Sequence, residues 1–299
     1  MIPSILFLIL FIFSAVLPAP AAQAVNQAVV SLSDLVGGGY SDFWNSKHRY
    51  RVLKGGRASK KSKTTALYFI SKLMKHPQSN LLVIRQTYAS LKDSCFSELE
   101  WAIHRMGVEK YWKISTSPLE MTYLPTGQKI LFRGLDDPLK LTSITVSIGF
   151  LCWTWIEEAF QVKRESDFDK IDGSIRGNLP ADLWPQHTLT FNPWHDKIWI
   201  KRRFFDVSDD SDIFTKTTTW KDNEFLGEHD RRYYEKMEKE NPRRYWVEGL
   251  GNWGIIEGLI YEKWVIEDFD VDIVRRRSSV LAAFGLDFGY SIDPSAFIA

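Results

Sequence analysis

Cysteine is scarce in this chain of 299 residues, which contains two, Cys95 and Cys152. Because they lie far apart without a C-x-x-C spacing, they exclude a thiolate zinc site, and one pair is too few for a disulfide framework. Charge of one sign is also lacking, since 38 basic and 37 acidic side chains give a net charge of +1. This balance excludes nucleic-acid binding through bulk charge, although a local basic groove stays possible. We expect both thiols to be buried and reduced.

Long apolar runs are lacking except near the N-terminus, where Ile5 to Phe13 is unbroken but short for a transmembrane span. An A-x-A triplet at 22–24 follows it, as in a secretory signal, yet no Lys or Arg precedes the run. We expect residues 1–29 to be a signal-like leader, spurious in origin, that is not a working export signal. The alternative is an exported or membrane-tethered protein.

The rest of the chain alternates between apolar strand patterns and amphipathic helix patterns. The predicted strands cover 49–53, 81–84, 151–156 and 188–191, a hairpin surrounds 125–127, and helices cover 61–74, 88–106 and 228–240. Strands that are apolar on both faces and alternate with helices indicate an α/β fold, with a mostly parallel central sheet flanked by helices.

A phosphate-loop pattern lies between the first predicted strand and the first long helix. The general pattern is G-x-x-x-x-G-K-[ST], with Gly55 as its first glycine, Lys61 as its lysine and Ser62 as its hydroxyl. Lys60 replaces the second glycine and must accept a backbone shape that glycine takes more easily. Loop N–H groups would cradle phosphate oxygens, Lys61 would neutralise the β- and γ-phosphates, and Ser62 would bind Mg²⁺. Taken alone, the loop fits a basic surface turn equally well.

Two later strand ends carry polar side chains. Glu157 and Glu158 lie where the acids of a Walker B site belong, the first to hold Mg²⁺ through water and the second to polarise the attacking water. Thr190 and Asn192 close the next strand, and such a pair can sense a γ-phosphate or hold the lytic water. The alternatives are a helix N-cap for the acids and a simple Asn-Pro turn.

The ordered set of motifs resembles the large terminase subunit of tailed bacteriophages, in its PBSX-like branch. The resemblance is carried by GGRASxKS at 55–62, WIEEA at 155–159, TFNP at 190–193 and LGNWG at 250–254. It implies an ASCE-type P-loop ATPase that uses ATP and Mg²⁺ to drive double-stranded DNA into an empty procapsid.

The same resemblance implies a role for each matching position. Nucleotide binding falls to Gly55, Gly56, Ser59, Lys61, Ser62, Thr190 and Asn192, of which Thr190 and Asn192 also form the motif that couples hydrolysis to movement. Arg57 is implied as a trigger acting in cis or across a subunit interface. Glu157 corresponds to the acid that holds the metal, together with Ser62, and Glu158 corresponds to the catalytic base.

The end of the chain resembles the start of the family's RNase H-like nuclease domain. FGLDFGY at 284–290 carries this likeness, and Asp287 would be the first ligand of its divalent metals. We expect an ATPase domain at 30–244, a linker at 245–279 and the first strand of the nuclease domain at 280–299. Because the remaining acidic ligands of a two-metal site are absent, we expect no nuclease activity from this chain.

The family resemblance also implies partners and a compartment. Double-stranded DNA, the small terminase subunit and the portal protein are the expected partners, and the chain is expected to form a homo-oligomer on the procapsid in the bacterial host cytoplasm. Two alternatives remain at this point: another P-loop NTPase acting on DNA, or an inactive prophage remnant.

Overall fold

The computed structural model describes residues 31–136, 144–207 and 210–254, four positions between 270 and 276, and the backbone of 285–287 and 296–298. The chain divides into two compact units, Met1–Ile256 and Glu257–Ala299. The expected leader at 1–29 lies outside the described residues. None of the helices within the described ranges is long and apolar enough to cross a membrane.

A mixed sheet of eight strands forms the centre of the first unit, counted over the described residues. Its strands are β1 (Tyr50–Gly55), β2 (Ser79–Arg85), β3 (Trp112–Thr116), β4 (Leu119–Tyr123), β5 (Gln128–Gly134), β6 (Phe150–Glu157), β7 (Gln186–Phe191) and β8 (Ile213–Thr218). Their spatial order is β3-β4-β5-β2-β6-β7-β1-β8. All neighbours from β5 to β8 pair in parallel, and β4 pairs antiparallel with both β3 and β5.

Helices and apolar side chains cover both faces of this sheet. The helices are α1 (Leu32–Val36), α2 (Ser41–Asn45), α3 (Lys61–Lys75), α4 (Ser97–Arg105), α5 (Glu165–Asp172), α6 (Glu228–Glu240) and α7 (Pro242–Arg244). Alternate residues of β2 enter opposite cores: Leu81 and Val83 pack in one layer, and Leu82 and Ile84 pack in the other. This two-sided burial confirms the α/β fold and explains why the strands are apolar throughout.

The long helix predicted over 88–106 is wrong in its first half. The chain there forms a 3₁₀ turn at Ala89–Leu91 and a π-helical turn at Lys92–Phe96, and only then enters α4. A π-turn accommodates one extra residue per turn. The apolar residues Leu91, Cys95, Leu99, Ala102 and Ile103 of this stretch are nevertheless buried, and both cysteines are free thiols.

The strand order brings the three motifs together. β7 lies between β1, which leads into the phosphate loop, and β6, which leads into the acid pair. Thr190 of β7 is level with Leu53 of β1 on one side and with Glu157 of β6 on the other. The carboxyl ends of these parallel strands therefore share one edge of the sheet, where ligands bind in open α/β folds.

In the second unit, the structure describes a short antiparallel pair, β9 (Gly285–Asp287) and β10 (Ala296–Ile298). β9 contains the end of the strand predicted before Asp287, and Asp287 is level with Ala296. The side chain of Asp287 lies outside what the structure describes, so its role as a metal ligand stays a prediction.

Candidate functional site

Residues 56–60 connect β1 to α3 and form the phosphate loop. Lys60 replaces the second glycine of the loop pattern and has a left-handed backbone conformation (φ +57°). This is the kind of backbone shape that glycine takes more easily, as predicted from the sequence. This conformation costs a non-glycine residue about 1–2 kcal/mol. The Lys60 side chain supplies contacts that glycine lacks, since Nζ donates to the carbonyl oxygen of Val36 at 2.7 Å and forms an ion pair with Glu224.

These two effects can be separated by replacing Lys60 with Ala and with Gly. Both variants lose the ion pair, but only Ala keeps the left-handed strain. We therefore expect Lys60→Ala to be less stable than Lys60→Gly by about 1 kcal/mol in urea unfolding. The same pair of substitutions at the exposed helical Lys63 is the control, where Ala should be the more stable of the two. Equal stability of the two Lys60 variants would contradict the assigned backbone shape.

The loop is held in place by β8 and the N-terminal segment. Ser59 is buried; its Oγ donates to the carbonyl oxygen of Gly56 at 2.9 Å and accepts a hydrogen bond from Thr218 Oγ1 at 3.1 Å. The Tyr40 hydroxyl donates to the Ser59 carbonyl oxygen. A Cβ on Gly55 would lie 2.0 Å from Thr218 Oγ1, so this position requires glycine.

The segment Tyr245–Gly254, which we call the clasp segment, packs on the loop from the other side. The Arg57 N–H donates to the Glu248 carbonyl oxygen at 2.7 Å, and Lys54 Nζ donates to the Gly251 carbonyl oxygen at 2.7 Å. These residues belong to the first unit, which extends to Ile256. The boundary of the ATPase domain at residue 244 stays a prediction.

Gly251 of the clasp segment packs closely against the start of the phosphate loop. Its φ is +65°, and a Cβ there would lie 2.7 Å from Gly55 Cα. We expect Gly251→Ala to lower the free energy of unfolding by about 2–4 kcal/mol, the combined effect of left-handed strain and overpacking. Gly38→Ala is the matched control, because a Cβ at Gly38 meets no atom within 4 Å. Thermal unfolding of both variants tests the packing, and equal stabilities would contradict it.

Lys61 is the buried centre of the site. Its Nζ donates to Asn192 Oδ1 at 2.9 Å and to the carbonyl oxygen of Gly56 at 3.2 Å, which links the loop to the end of β7. Burial lowers the pKa of Lys61 to about 8, while the carboxylates of Glu158 and Glu157 oppose that shift. The acid pair thus lies within electrostatic reach of the loop lysine, as the sequence predicts.

The two glutamates differ in their surroundings. Glu157 is buried, and its Oε2 accepts a hydrogen bond from Cys95 Sγ at 3.2 Å. Glu158 follows in a left-handed conformation (φ +50°), and its Oε2 is buried without a hydrogen-bond partner among the described residues. Burial raises the pKa of Glu158, and the positive charge of Lys61 opposes this rise. Glu158 is thus a strained, desolvated carboxyl group with a free oxygen.

Asn192 carries a second unsatisfied group. While its Oδ1 accepts from Lys61, its Nδ2 is buried and makes no hydrogen bond within the described part of the chain. Thr190 differs, because its Oγ1 already accepts a hydrogen bond from Trp155 Nε1 at 2.9 Å. Buried polar atoms without partners are rare and call for a ligand or water. Both orphaned atoms belong to residues that interact with Lys61.

Arg57 lies at the exposed rim of the loop. Its Nε is 3.6 Å from Glu248 Oε2, and its guanidinium group lies 5.4 Å from the centre of the Trp194 ring. Glu248 also accepts two hydrogen bonds from Arg244, at 2.9 and 3.1 Å. The clasp segment therefore holds the loop arginine by its side chain as well as by its backbone.

Sequence reasoning did not identify three residues as part of the site. Arg85 closes β2 at the same sheet edge, where its positive charge opposes the rise in the pKa of Glu158, and its position at a strand end was the available signal. Cys95 and Glu248 contact site residues that are distant in sequence, so no local pattern marks them. Within the described ranges no group of three or more His, Cys, Asp or Glu side chains could hold a metal by itself.

A phosphate loop, an acid pair and an intervening strand that is followed by Asn192 define this part of the chain as a P-loop NTPase fold of the ASCE class. A family model described as phage terminase large subunit matches residues 47–252. The chain belongs to this family of phage large terminases.

Individual relatives agree with that assignment. The large terminase subunit of Bacillus phage SPP1 is 35% identical over 263 residues, which cover 85% of this chain and 60% of that protein. The PBSX phage terminase large subunit of Bacillus subtilis strain 168 is 28% identical over 275 residues, covering 85% and 61%. The large terminase of a thermophilic bacteriophage, solved in complex with ADP, has a TM-score of 0.58 at 16% identity, covering 85% and 61%. The chain thus spans about 60% of the length of these relatives.

Proposed function

We propose that this chain is an ATP-hydrolysing motor subunit that packages double-stranded DNA into phage procapsids. The observation that carries the proposal is the meeting of Lys61, Glu158 and Asn192, two of which have buried polar atoms without partners among the described residues. Membership of the large terminase family supports the choice of DNA packaging over other uses of a P-loop fold. The ADP complex of the thermophilic phage terminase supports a nucleotide as the ligand.

ATP binds along the phosphate loop in this proposal. Backbone N–H groups of the loop, beginning with Gly55 and Gly56, and the first turn of α3 cradle the phosphates. The internal hydrogen bonds of Ser59 keep the loop open for them. Lys61 exchanges its bond to Asn192 or Gly56 for a phosphate oxygen, which its pKa of about 8 permits while it stays largely protonated near neutral pH.

The residues present fit Mg²⁺, since Ser62 and Glu157 offer the hydroxyl and carboxylate oxygens that this ion prefers. Ser62 is half-buried in the first turn of α3, and Glu157 is buried at the end of β6. When bound, the ion neutralises phosphate charge and polarises the γ-phosphoryl group.

Glu158 is the general base. Its free Oε2 accepts a proton from the water that attacks the γ-phosphorus, while Asn192 Nδ2 donates a hydrogen bond to hold that water or a γ-phosphate oxygen. The bond from the γ-phosphorus to the bridging oxygen then breaks, leaving ADP and phosphate. Lys61 and Arg57 stabilise the charge that spreads over the phosphoryl oxygens, with Arg57 acting in cis or across a subunit interface.

Coupling to movement begins at the end of β7. Loss of the γ-phosphate frees Asn192 to return to Lys61, and Thr190 anchors the strand through Trp155. The carbonyl oxygen of Pro193 accepts from the Gly254 N–H at 2.8 Å, so a shift of the strand end reaches the clasp segment directly. The chain continues from this segment into the second unit, where we propose that Asp287 is a metal ligand of a nuclease site.

The partners in this proposal are double-stranded DNA, the small terminase subunit and the portal protein, and the motor forms a homo-oligomer on the procapsid in the host cytoplasm. The test is ATP hydrolysis by the full chain in Mg²⁺, with and without linear double-stranded DNA. We expect hydrolysis that requires Mg²⁺ and increases with DNA, and that Glu158→Gln abolishes. Hydrolysis that DNA leaves unchanged would contradict a DNA motor, and a folded chain that binds no ATP would contradict the site itself.

A further inference from the structure

One buried contact of the acid pair has no part in the scheme above. Cys95 Sγ lies 3.2 Å from Glu157 Oε2 and donates a hydrogen bond to it. Both side chains are buried, with Cys95 fully enclosed and Glu157 8% exposed. The bond occupies one carboxylate oxygen of Glu157 and restricts rotation of the carboxylate plane, because a buried side chain with a fixed partner has few alternative rotamers.

Cys95 lies in the π-helical turn Lys92–Phe96. Inserted turns of this kind often occur at functional sites, because the extra residue redirects one side chain. Ser94 ties the turn down, since its Oγ donates to the Ser90 carbonyl oxygen at 2.6 Å and lies 3.7 Å from Cys95 Sγ. The thiol is therefore presented to Glu157 by a backbone that is itself hydrogen-bonded in place.

We propose that Cys95 is a positioning residue that orients the Glu157 carboxylate for metal-dependent nucleotide binding. The thiol holds Oε2, so Oε1 is the carboxylate oxygen that would serve the metal when it is bound. Partners that hold a ligand in one orientation typically affect metal affinity by about 10–100-fold when they are removed. This inference rests on the proposed function, in which Glu157 serves the nucleotide-bound Mg²⁺.

The chain offers a matched control in its other cysteine. Cys152 lies earlier on the same strand as Glu157, is also buried, and directs its Sγ to the carbonyl oxygen of Asn80 at 3.9 Å. Replacing either cysteine by Ala removes one buried sulfur from the same core, which contains both residues. A loss of packing alone would therefore affect the two variants alike, whereas a loss of carboxylate orientation would affect only Cys95→Ala.

The experiment measures the affinity of the full chain for a fluorescent, non-hydrolysable ATP analogue in EDTA and in Mg²⁺. The ratio of the two affinities is the gain due to the metal. We expect Cys95→Ala to lower this gain about tenfold while the affinity in EDTA stays unchanged. Cys95→Ser keeps a hydrogen-bond donor and should restore most of the gain, and Cys152→Ala should match the wild type. In a Glu157→Gln background, Cys95→Ala should have no further effect, because the two residues act as one unit.

If the wild type gains affinity from Mg²⁺ and Cys95→Ala gains as much, the inference about Cys95 is overturned and the proposed function is not. An equal loss of affinity in EDTA and in Mg²⁺ would also overturn it, since that result means a general effect on the fold. A wild type without any Mg²⁺-dependent gain would overturn both this inference and the proposed metal site. Hydrolysis of ATP by the wild type, measured in parallel, tests the proposed function separately from the inference about Cys95.

Discussion

Replacing Glu158 by Gln should lower kcat for ATP hydrolysis by about 10²–10⁴-fold while leaving ATP binding intact. The amide has nearly the size of the carboxyl group but cannot accept the proton of the attacking water. Glu158 Oε2 is buried without a partner among the described residues, so no nearby hydrogen bond is lost in the exchange. Binding should be retained, because in the proposed site the loop and Lys61, not Glu158, hold the phosphates.

The pH dependence of the wild type follows from the same residue. Burial raises the pKa of Glu158, and a general base must be ionised to act. Turnover should therefore fall as the pH drops through a value above the ordinary range of glutamate, because the carboxyl group is protonated below its raised pKa.

Single-turnover hydrolysis and equilibrium binding of ATP together test this prediction. The control is Glu235→Gln, which removes one carboxylate from the exposed face of α6. We expect the Glu158→Gln variant to bind ATP as the wild type does and to lose turnover. A Glu158→Gln variant that turns over at more than about a tenth of the wild-type rate would assign the base to another group.

Replacing Lys61 by Ala should weaken binding of ATP by about 10–100-fold and reduce hydrolysis further. A hydrogen bond to a charged group contributes about 1.5–3 kcal/mol, and in the proposed site the buried charge of Lys61 would face the phosphates. The variant also leaves Asn192 Oδ1 without the partner that it has at 2.9 Å. The additional loss of turnover arises because Lys61 also stabilises the charge of the transition state.

Titration of the wild type and the variant with a fluorescent ATP analogue measures the first effect, and steady-state hydrolysis measures the second. Lys63→Ala is the control, because Lys63 lies on the same helix but is exposed and pairs with Glu98 at 3.1 Å. Equal affinity of the Lys61→Ala variant and the wild type would show that the loop is a basic turn and not a phosphate site.

The sequence predicts most of the first unit because its signals are local. Apolar strands that end at Gly55, at Glu157 or just before Asn192 mark both the sheet and the edge where ligands bind. The replacement of a loop glycine by Lys60 predicts the left-handed backbone found there. Strand order follows less directly, since the insertion of β7 between β1 and β6 depends on pairings between distant segments.

The errors have physical causes as well. The spacing of Leu91, Cys95 and Leu99 fits a regular α-helix, and an inserted π-turn does not alter it enough to be recognised. In the clasp segment, which is rich in glycine, Gly251 permits a close contact with Gly55 that no local pattern predicts. The bond from Cys95 to Glu157 joins residues 62 positions apart, so it has no counterpart in any local pattern.

The central claim is that the phosphate loop, the acid pair and the end of β7 form one nucleotide site. A crystal structure of the full chain with a non-hydrolysable ATP analogue and Mg²⁺ tests this most directly. We expect the β- and γ-phosphates against Lys61, the metal between Ser62 and Glu157, and an ordered water between Glu158 Oε2 and the γ-phosphate. A nucleotide bound elsewhere, or bound at the loop with Glu158 and Asn192 facing away from it, would contradict the claim.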